Sequence, residues 1–190
     1  TDAFQGAAFK RGSEVVVACK GTSQKRDVVA DVKLGIGMNT CQYSLAEDFV
    51  DDLDLPTETR VSICGHSLGG AIAQVVGNRQ RIPFVTFNAP GVALVSRNWS
   101  EVAVSGLVGM AYVRAAGTMA SAVRHPLQAV QDLASLFHLA RGLNFRLGWD
   151  VVGSVGVHYG RVIQIPYSGK ALDVLAKHKM ATVIEALRAS

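Results

Sequence analysis

A chain of 190 residues, 49% apolar and 18% charged, is long enough for one domain to bury about 70% of its unfolded surface and too apolar for intrinsic disorder. The formal net charge of +4 is modest, and no basic run is interleaved with aromatics, which argues against nucleic acid as a partner. Three cysteines, Cys19, Cys41 and Cys64, show no C-x-x-C spacing, which argues against a disulfide framework or a zinc site. Cys19 and Cys64 end strand-like runs and read as small core hydrophobes. Between Arg97 and Arg146 five arginines face only Glu101 and Asp132, an excess compatible with peripheral contact with an anionic membrane surface. Thr1-Asp2-Ala3 carries no secretory signal pattern and no initiator methionine, as in a chain that was trimmed, processed or cut from something longer, so its compartment stays open.

In chain order, Phe4 to Phe9, the Lys10-Arg11-Gly12-Ser13 turn and Glu14 to Cys19 read as a hairpin whose second strand is buried on both faces. Lys20-Gly21-Thr22-Ser23 stops that strand. Ser44-x-x-Glu47 has the form of a capping box opening a helix, with Leu45, Phe49 and Leu53 on its inner side and Pro56 past its end. Val61-Ser62-Ile63-Cys64 is a further strand, followed by Gly65-His66-Ser67-Leu68-Gly69 and an alanine-rich helix to about Arg79. Pro83 to Phe87 is a short buried strand that Asn88-Ala89-Pro90-Gly91 ends. Strand, helix and strand in this rhythm predict parallel crossovers and a sheet doubly wound in its central part, with the ligand site at the carboxyl ends of the strands.

The stretch at about 92–142 has almost no strand signal and reads as a helical insertion near the mouth of that site. Its apolar pieces fall short of the roughly twenty residues a membrane span needs. Asn144 to Leu147 and Arg161 to Ile165 return to strand character. After Ser168-Gly169 the chain is expected to be helical to its end, with Val183, Ile184 and Leu187 inward. No internal repeat or low-complexity linker interrupts the chain, so residues 1–190 are expected to form a single α/β domain, a mostly parallel sheet flanked by helices.

Gly-x-Ser-x-Gly between a β-prone run and a helix is the setting of a nucleophile elbow. Gly65 and Gly69 are the positions where a Cβ would collide, and Ser67 would stand strained at the tip above the helix N-terminus. A serine hydroxyl needs a base within hydrogen-bond reach and an acid that fixes the base's tautomer, in the chain order serine, acid, histidine. Asp150, after a buried strand and before a glycine-rich loop, is the preferred acid. Asp173 is the runner-up, inside a helical pattern. His178 is the preferred base and His158 the alternative, while His66 is expected to point away from the chemistry and His125 and His138 to be structural or on the surface. An oxyanion needs preorganised donors: Leu68 offers its backbone N–H, and in the loop Lys20-Gly21-Thr22 the last residue offers both N–H and hydroxyl.

The runs Val15 to Thr22, Cys64 to Ala71 and Phe84 to Gly91, with Asp150 and His178, together resemble the class 3 lipases. These are α/β-hydrolases that cut acyl esters of glycerolipids, with bacterial lipases and phospholipases among them, some delivered as antibacterial effectors. The resemblance covers most of the chain outside Val92 to Gly142. It implies that Ser67 is the nucleophile, Asp150 the acid and His178 the base, with Thr22 and Leu68 in the oxyanion hole, and it demotes His158. Three features depart from the family pattern: Lys20 stands where arginine is usual, the segment between Thr22 and Ser67 is short and lacks a clear histidine-glycine motif, and Val92 to Gly142 has no counterpart. The expected activity is hydrolysis of carboxylic esters of lipids, of lipase or phospholipase A type, through an acyl-enzyme on Ser67 and with no metal or organic cofactor. The alternatives are a short-chain or non-lipid esterase or thioesterase, and a catalytically silent lipid-binding or interaction module.

Overall fold

Apolar side chains at every second position of the early strands decide where the core forms. In the sequence Glu14-Val15-Val16-Val17-Ala18-Cys19, Val15, Val17 and Cys19 are buried whereas Val16 is 39% exposed, because successive side chains of a strand point to opposite faces. The computed structural model describes residues 4–21, 40–93, 141–148, 150–166 and 178–189. Its strands are β1 (Gly6–Arg11), β2 (Glu14–Cys19), β3 (Arg60–His66), β4 (Phe84–Phe87), β5 (Gly142–Leu147) and β6 (Arg161–Ile165), and its helices are α1 (Thr40–Asp51), α2 (Leu68–Arg79) and α3 (Met180–Ala189). They form one six-stranded sheet in the order β1-β2-β3-β4-β5-β6. β1 runs antiparallel to β2, and every later neighbour is parallel.

The two faces of this sheet have different cores. Val15 and Val17 of β2, Ile63 of β3 and Phe84 of β4 pack with Tyr43 and Ala46 of α1 and with Ala71, Ile72, Val75 and Val76 of α2. On the opposite face Phe87, Phe145, Leu147 and Ile165 pack with Met180, Val183 and Ala186 of α3. The result is an α/β-hydrolase-like arrangement, a mostly parallel sheet with helices on both faces, as the sequence predicts. The elbow after β3 and the turn after β5 both lie at the carboxyl ends of parallel strands, the edge at which ligands bind in open α/β sheets.

Five expectations are corrected. The second hairpin strand is not buried on both faces: Val16 pairs across the ladder with Phe9, and both are exposed, on the face opposite α1 and α2. A doubly wound sheet needs a reversal of strand order, and among the described residues the order is monotonic. Ser44 does not open α1, which starts at Thr40, so Ser44 lies one turn inside it. Leu45 is 40% exposed, and the inward stripe is Tyr43, Ala46, Phe49, Val50 and Leu53, set by a helical period that begins earlier than the capping motif. In α3 only Val183 of the three expected residues is buried, while Ile184 and Leu187 are exposed; Met180 and Ala186, at i−3 and i+3 from Val183, complete the inner stripe. Of the expected insertion, residues 94–140 lie outside the described residues, as do His125, His138 and Asp173.

Tyr43 is buried in the main core, its phenol pushed up to about 12 by desolvation. Its hydroxyl has no hydrogen-bond partner among the described residues. An unpaired buried hydroxyl costs about 1–3 kcal/mol. Tyr43→Phe is therefore expected to leave urea stability equal to or higher than wild type, whereas Tyr43→Ala lowers it by about 3–5 kcal/mol through the cavity left behind.

Candidate active site

The elbow is built by close backbone approach. A Cβ on Gly65 would run into the Gly69 carbonyl, and one on Gly69 into the Cys19 carbonyl at the end of β2. Only glycine lets β3, α2 and the loop after β2 converge here. Ser67 sits at the tip with φ 56° and ψ −127°, a conformation in which L-residues are strained. It is locked by its N–H donating to the Phe87 carbonyl at 3.1 Å and by its own carbonyl accepting from the N–H groups of Gly70 and Ala71 at 3.0 and 3.1 Å. Serine ahead of a helix ordinarily caps it, but the Ser67 hydroxyl makes no capping bond. It is directed to His178 instead.

Three residues distant in sequence meet at this point. The Ser67 Oγ–H donates to His178 Nε2 at 2.8 Å, and His178 Nδ1–H donates to Asp150 Oδ1 at 3.0 Å. Asp150 is 0% exposed, Ser67 4% and His178 8%. A buried carboxylate is tolerable only when its oxygens are bonded, and the second Asp150 oxygen accepts from the Gly153 N–H at 2.6 Å. An acceptor-only carboxylate places the imidazole proton on Nδ1, which leaves Nε2 free to accept from the serine. Leu68, the first residue of α2, has an N–H without an intrahelical partner at the positive end of the helix dipole. Thr22 lies outside the described residues, but the loop before it passes beside the elbow: a Cβ on Gly21 would fall 2.6 Å from the His66 carbonyl and 3.5 Å from Ser67 Cβ.

The other histidine considered as base is not at this point. His158 is buried, and its Nε2–H donates to the Ala89 carbonyl at 2.8 Å; its Nδ1 has no partner among the described residues. Desolvation holds its imidazole below the usual range. His66, expected to point away, instead packs against His178 with ring centroids 4.8 Å apart, and its Nε2–H donates to the His178 carbonyl at 2.6 Å. Gln74 was also missed. It is fully buried on α2, donates to the Pro90 carbonyl at 2.8 Å and accepts from the Tyr159 N–H at 3.2 Å, joining the helix behind Ser67 to the loops after β4 and β5. A lone amide in the apolar run Ala71 to Gly77 was its signal in the sequence. Both Cys19 and Cys64 have thiols raised by burial, Cys19 to about 12, which leaves them unreactive.

A strained serine on a strand-to-helix turn of a mostly parallel sheet, with helices on both faces, defines the class as α/β-hydrolase-like. A family model described as "Phospholipase-like: Tle-like phospholipase domain" matches residues 1–155, more than half of the chain, and the protein belongs to this family. Ser67 and Asp150 fall within the match and His178 beyond it. The extracellular phospholipase A1 of Serratia liquefaciens is 31% identical over 90 residues, 47% of this chain and 28% of that protein. Proteins named putative lipase ATG15 from Debaryomyces hansenii and Candida albicans are 46% and 44% identical over 48 residues, 25% of this chain and 8% of each. The matched stretches thus span well under a third of these relatives. The lipase-like family read from the sequence agrees with these matches.

The lowered proton affinity of His158 makes a pH prediction. The unfolded chain takes up this proton at about pH 6.5, whereas the buried ring takes it up only at lower pH. Between those points the unfolded state binds more protons, so stability falls as pH falls. Urea denaturation should show wild-type stability declining below about pH 6.5. The decline should be shallower in His158→Gln, which keeps a donor for Ala89 without the titration.

Proposed function

We propose that the protein is a serine hydrolase that cleaves carboxylic esters of lipids, of lipase or phospholipase A type, through an acyl-enzyme on Ser67. The observation that carries this reading is the continuous hydrogen-bonded run from Ser67 Oγ through the His178 ring to the buried Asp150 carboxylate. Membership of a phospholipase-like family and the resemblance to a phospholipase A1 favour lipid esters over other acyl groups. The uncharged sequence from Val102 to Val113 adds apolar material suited to an acyl chain, each buried methylene contributing about 0.8 kcal/mol.

In the proposed reaction Ser67 Oγ attacks the ester carbonyl carbon while its proton passes to His178 Nε2. Negative charge develops on the carbonyl oxygen, where the Leu68 N–H and the loop that ends in Thr22 supply donors. Collapse of the tetrahedral adduct breaks the bond to the alkoxy oxygen, which takes the proton from His178 and departs as an alcohol or lysolipid. Water then attacks the acyl-serine with His178 as base, releasing the fatty acid and restoring Ser67. Asp150 stays ionised throughout, holds the Nδ1 tautomer and stabilises the imidazolium. Peripheral contact with a membrane surface, and no role for nucleic acid, belong to the same reading.

Asp150→Asn and His178→Ala are each expected to lower kcat by about ten-thousandfold or more, with KM far less affected. Mass spectrometry of products from a mixed lipid extract should show free fatty acid and lysolipid. If activity on a chain-length series of chromogenic esters falls steadily beyond butyrate even in detergent, the short-chain esterase takes the place of the lipase.

A further inference from the structure

His66 stands immediately before the candidate nucleophile, and strand alternation gives it a different task from its neighbours. Ile63 and Gly65 of β3 face α1 and α2, so Cys64 and His66 face the other side of the sheet, where Phe87 pairs with His66 and α3 packs. There the His66 ring meets His178, two residues ahead of α3. Consecutive residues consequently hold the same histidine at two places. The side chain of Ser67 bonds its ring at 2.8 Å, and the side chain of His66 bonds its main-chain carbonyl at 2.6 Å.

We propose that His66 is a positioning residue for the base: by donating Nε2–H to the His178 carbonyl, it fixes the His178 backbone so that the imidazole reaches both Ser67 Oγ and Asp150. The proposal rests on the hydrolase reading above. A carbonyl accepts and does not donate, so the bond requires the proton on His66 Nε2. Asp150 and Ser67 constrain only the ring of His178, and a ring on a drifting backbone reaches only one of them at a time. The clamp removes that freedom. A neutral His66 also suits the base beside it, since a cation 4.8 Å from the His178 ring would oppose the imidazolium formed in each acyl transfer. Desolvation and then the neighbouring His178 lower the proton affinity of His66, against smaller opposing effects of its bond to the His178 carbonyl and of Asp150.

Two substitutions separate the donor from the ring. His66→Gln retains an N–H donor at about the place of Nε2, and His66→Phe retains an aromatic ring against His178 without any donor. With a chromogenic ester and the full chain, His66→Phe is expected to lower kcat about a hundredfold, the scale of a misplacement of about 1 Å. KM should change little, and His66→Gln should recover most of the lost kcat. Equal kcat in the two variants, or a loss carried by KM or by urea stability alone, overturns the proposal. Nitrogen-15 NMR of histidine-labelled wild type and Ser67→Ala gives a second readout independent of turnover and of variant folding. A protonated, slowly exchanging Nε2 at His66 is expected, and a proton on Nδ1 overturns the clamp. If wild type turns over no ester at all, the hydrolase reading fails, while the NMR result still decides whether the bond to His178 exists.

Discussion

The Asp150 carboxylate is fully buried, and the arrangement around Ser67 follows from satisfying it. An ionised group in such a place is retained only where donors replace its hydration. One comes from the chain itself, the Gly153 N–H three residues on, and the other has to come from elsewhere in the fold. His178 supplies it through Nδ1, and that single bond fixes which imidazole nitrogen lacks a proton. The acceptor so created points at a hydroxyl that strained backbone at Ser67 has kept out of the capping role serine usually takes. Burial of one charge thereby sets the tautomer of His178 and the direction in which the Ser67 hydroxyl points.

Such an arrangement is useful only if the parts do not drift, and the surrounding backbone is tied accordingly. The loops after β4 and β5 are joined by Gly91 N–H to the Val155 carbonyl at 2.7 Å and Ala93 N–H to the Val157 carbonyl at 2.8 Å. His158 to the Ala89 carbonyl adds a side-chain tie between the same loops. Gln74 connects both to α2, the helix that begins at the elbow. Deeper in the sheet, Thr86 donates to Asn144 Oδ1 at 2.7 Å, and Asn144 donates to the Tyr159 carbonyl at 2.7 Å. Apart from His158 Nδ1 these buried polar groups are paired in a connected set, which makes loss of any one member costly. Ser67 and Asp150 are thus held on one connected frame, and His178 arrives on the opposite face with α3.

Much of this was legible in the sequence because it depends on local rules. Glycines at 65 and 69 announce a backbone collision, and strand, turn and helix in order locate Ser67. A carboxylate directly after a strand places Asp150 at the carboxyl edge of the sheet, and the six strand-like runs correspond to six strands with bounds close to those observed. What failed depends on which face a residue meets. Leu45, Ile184 and Leu187 fit a helical period in isolation, yet α1 and α3 each pack through a stripe rotated from the expected one. The place of His66 in the motif says nothing of where its side chain goes, whereas its parity in the strand does. That parity puts it opposite Gly65, on the side where α3 brings His178. Gln74 was legible in principle as a lone amide in an apolar helix, but its partners Pro90 and Tyr159 lie in loops whose approach only the fold reveals.

On the proposed reading one hydroxyl, at position 67, is activated by this buried relay. Intact-mass measurement after brief exposure of folded protein to a fluorophosphonate, followed by peptide mapping, tests it most directly. One phosphonyl group per chain is expected, carried by the peptide containing Ser67, abolished in Ser67→Ala and formed far more slowly in His178→Ala. Folded protein that takes up no label, or label that persists undiminished in Ser67→Ala, would contradict it.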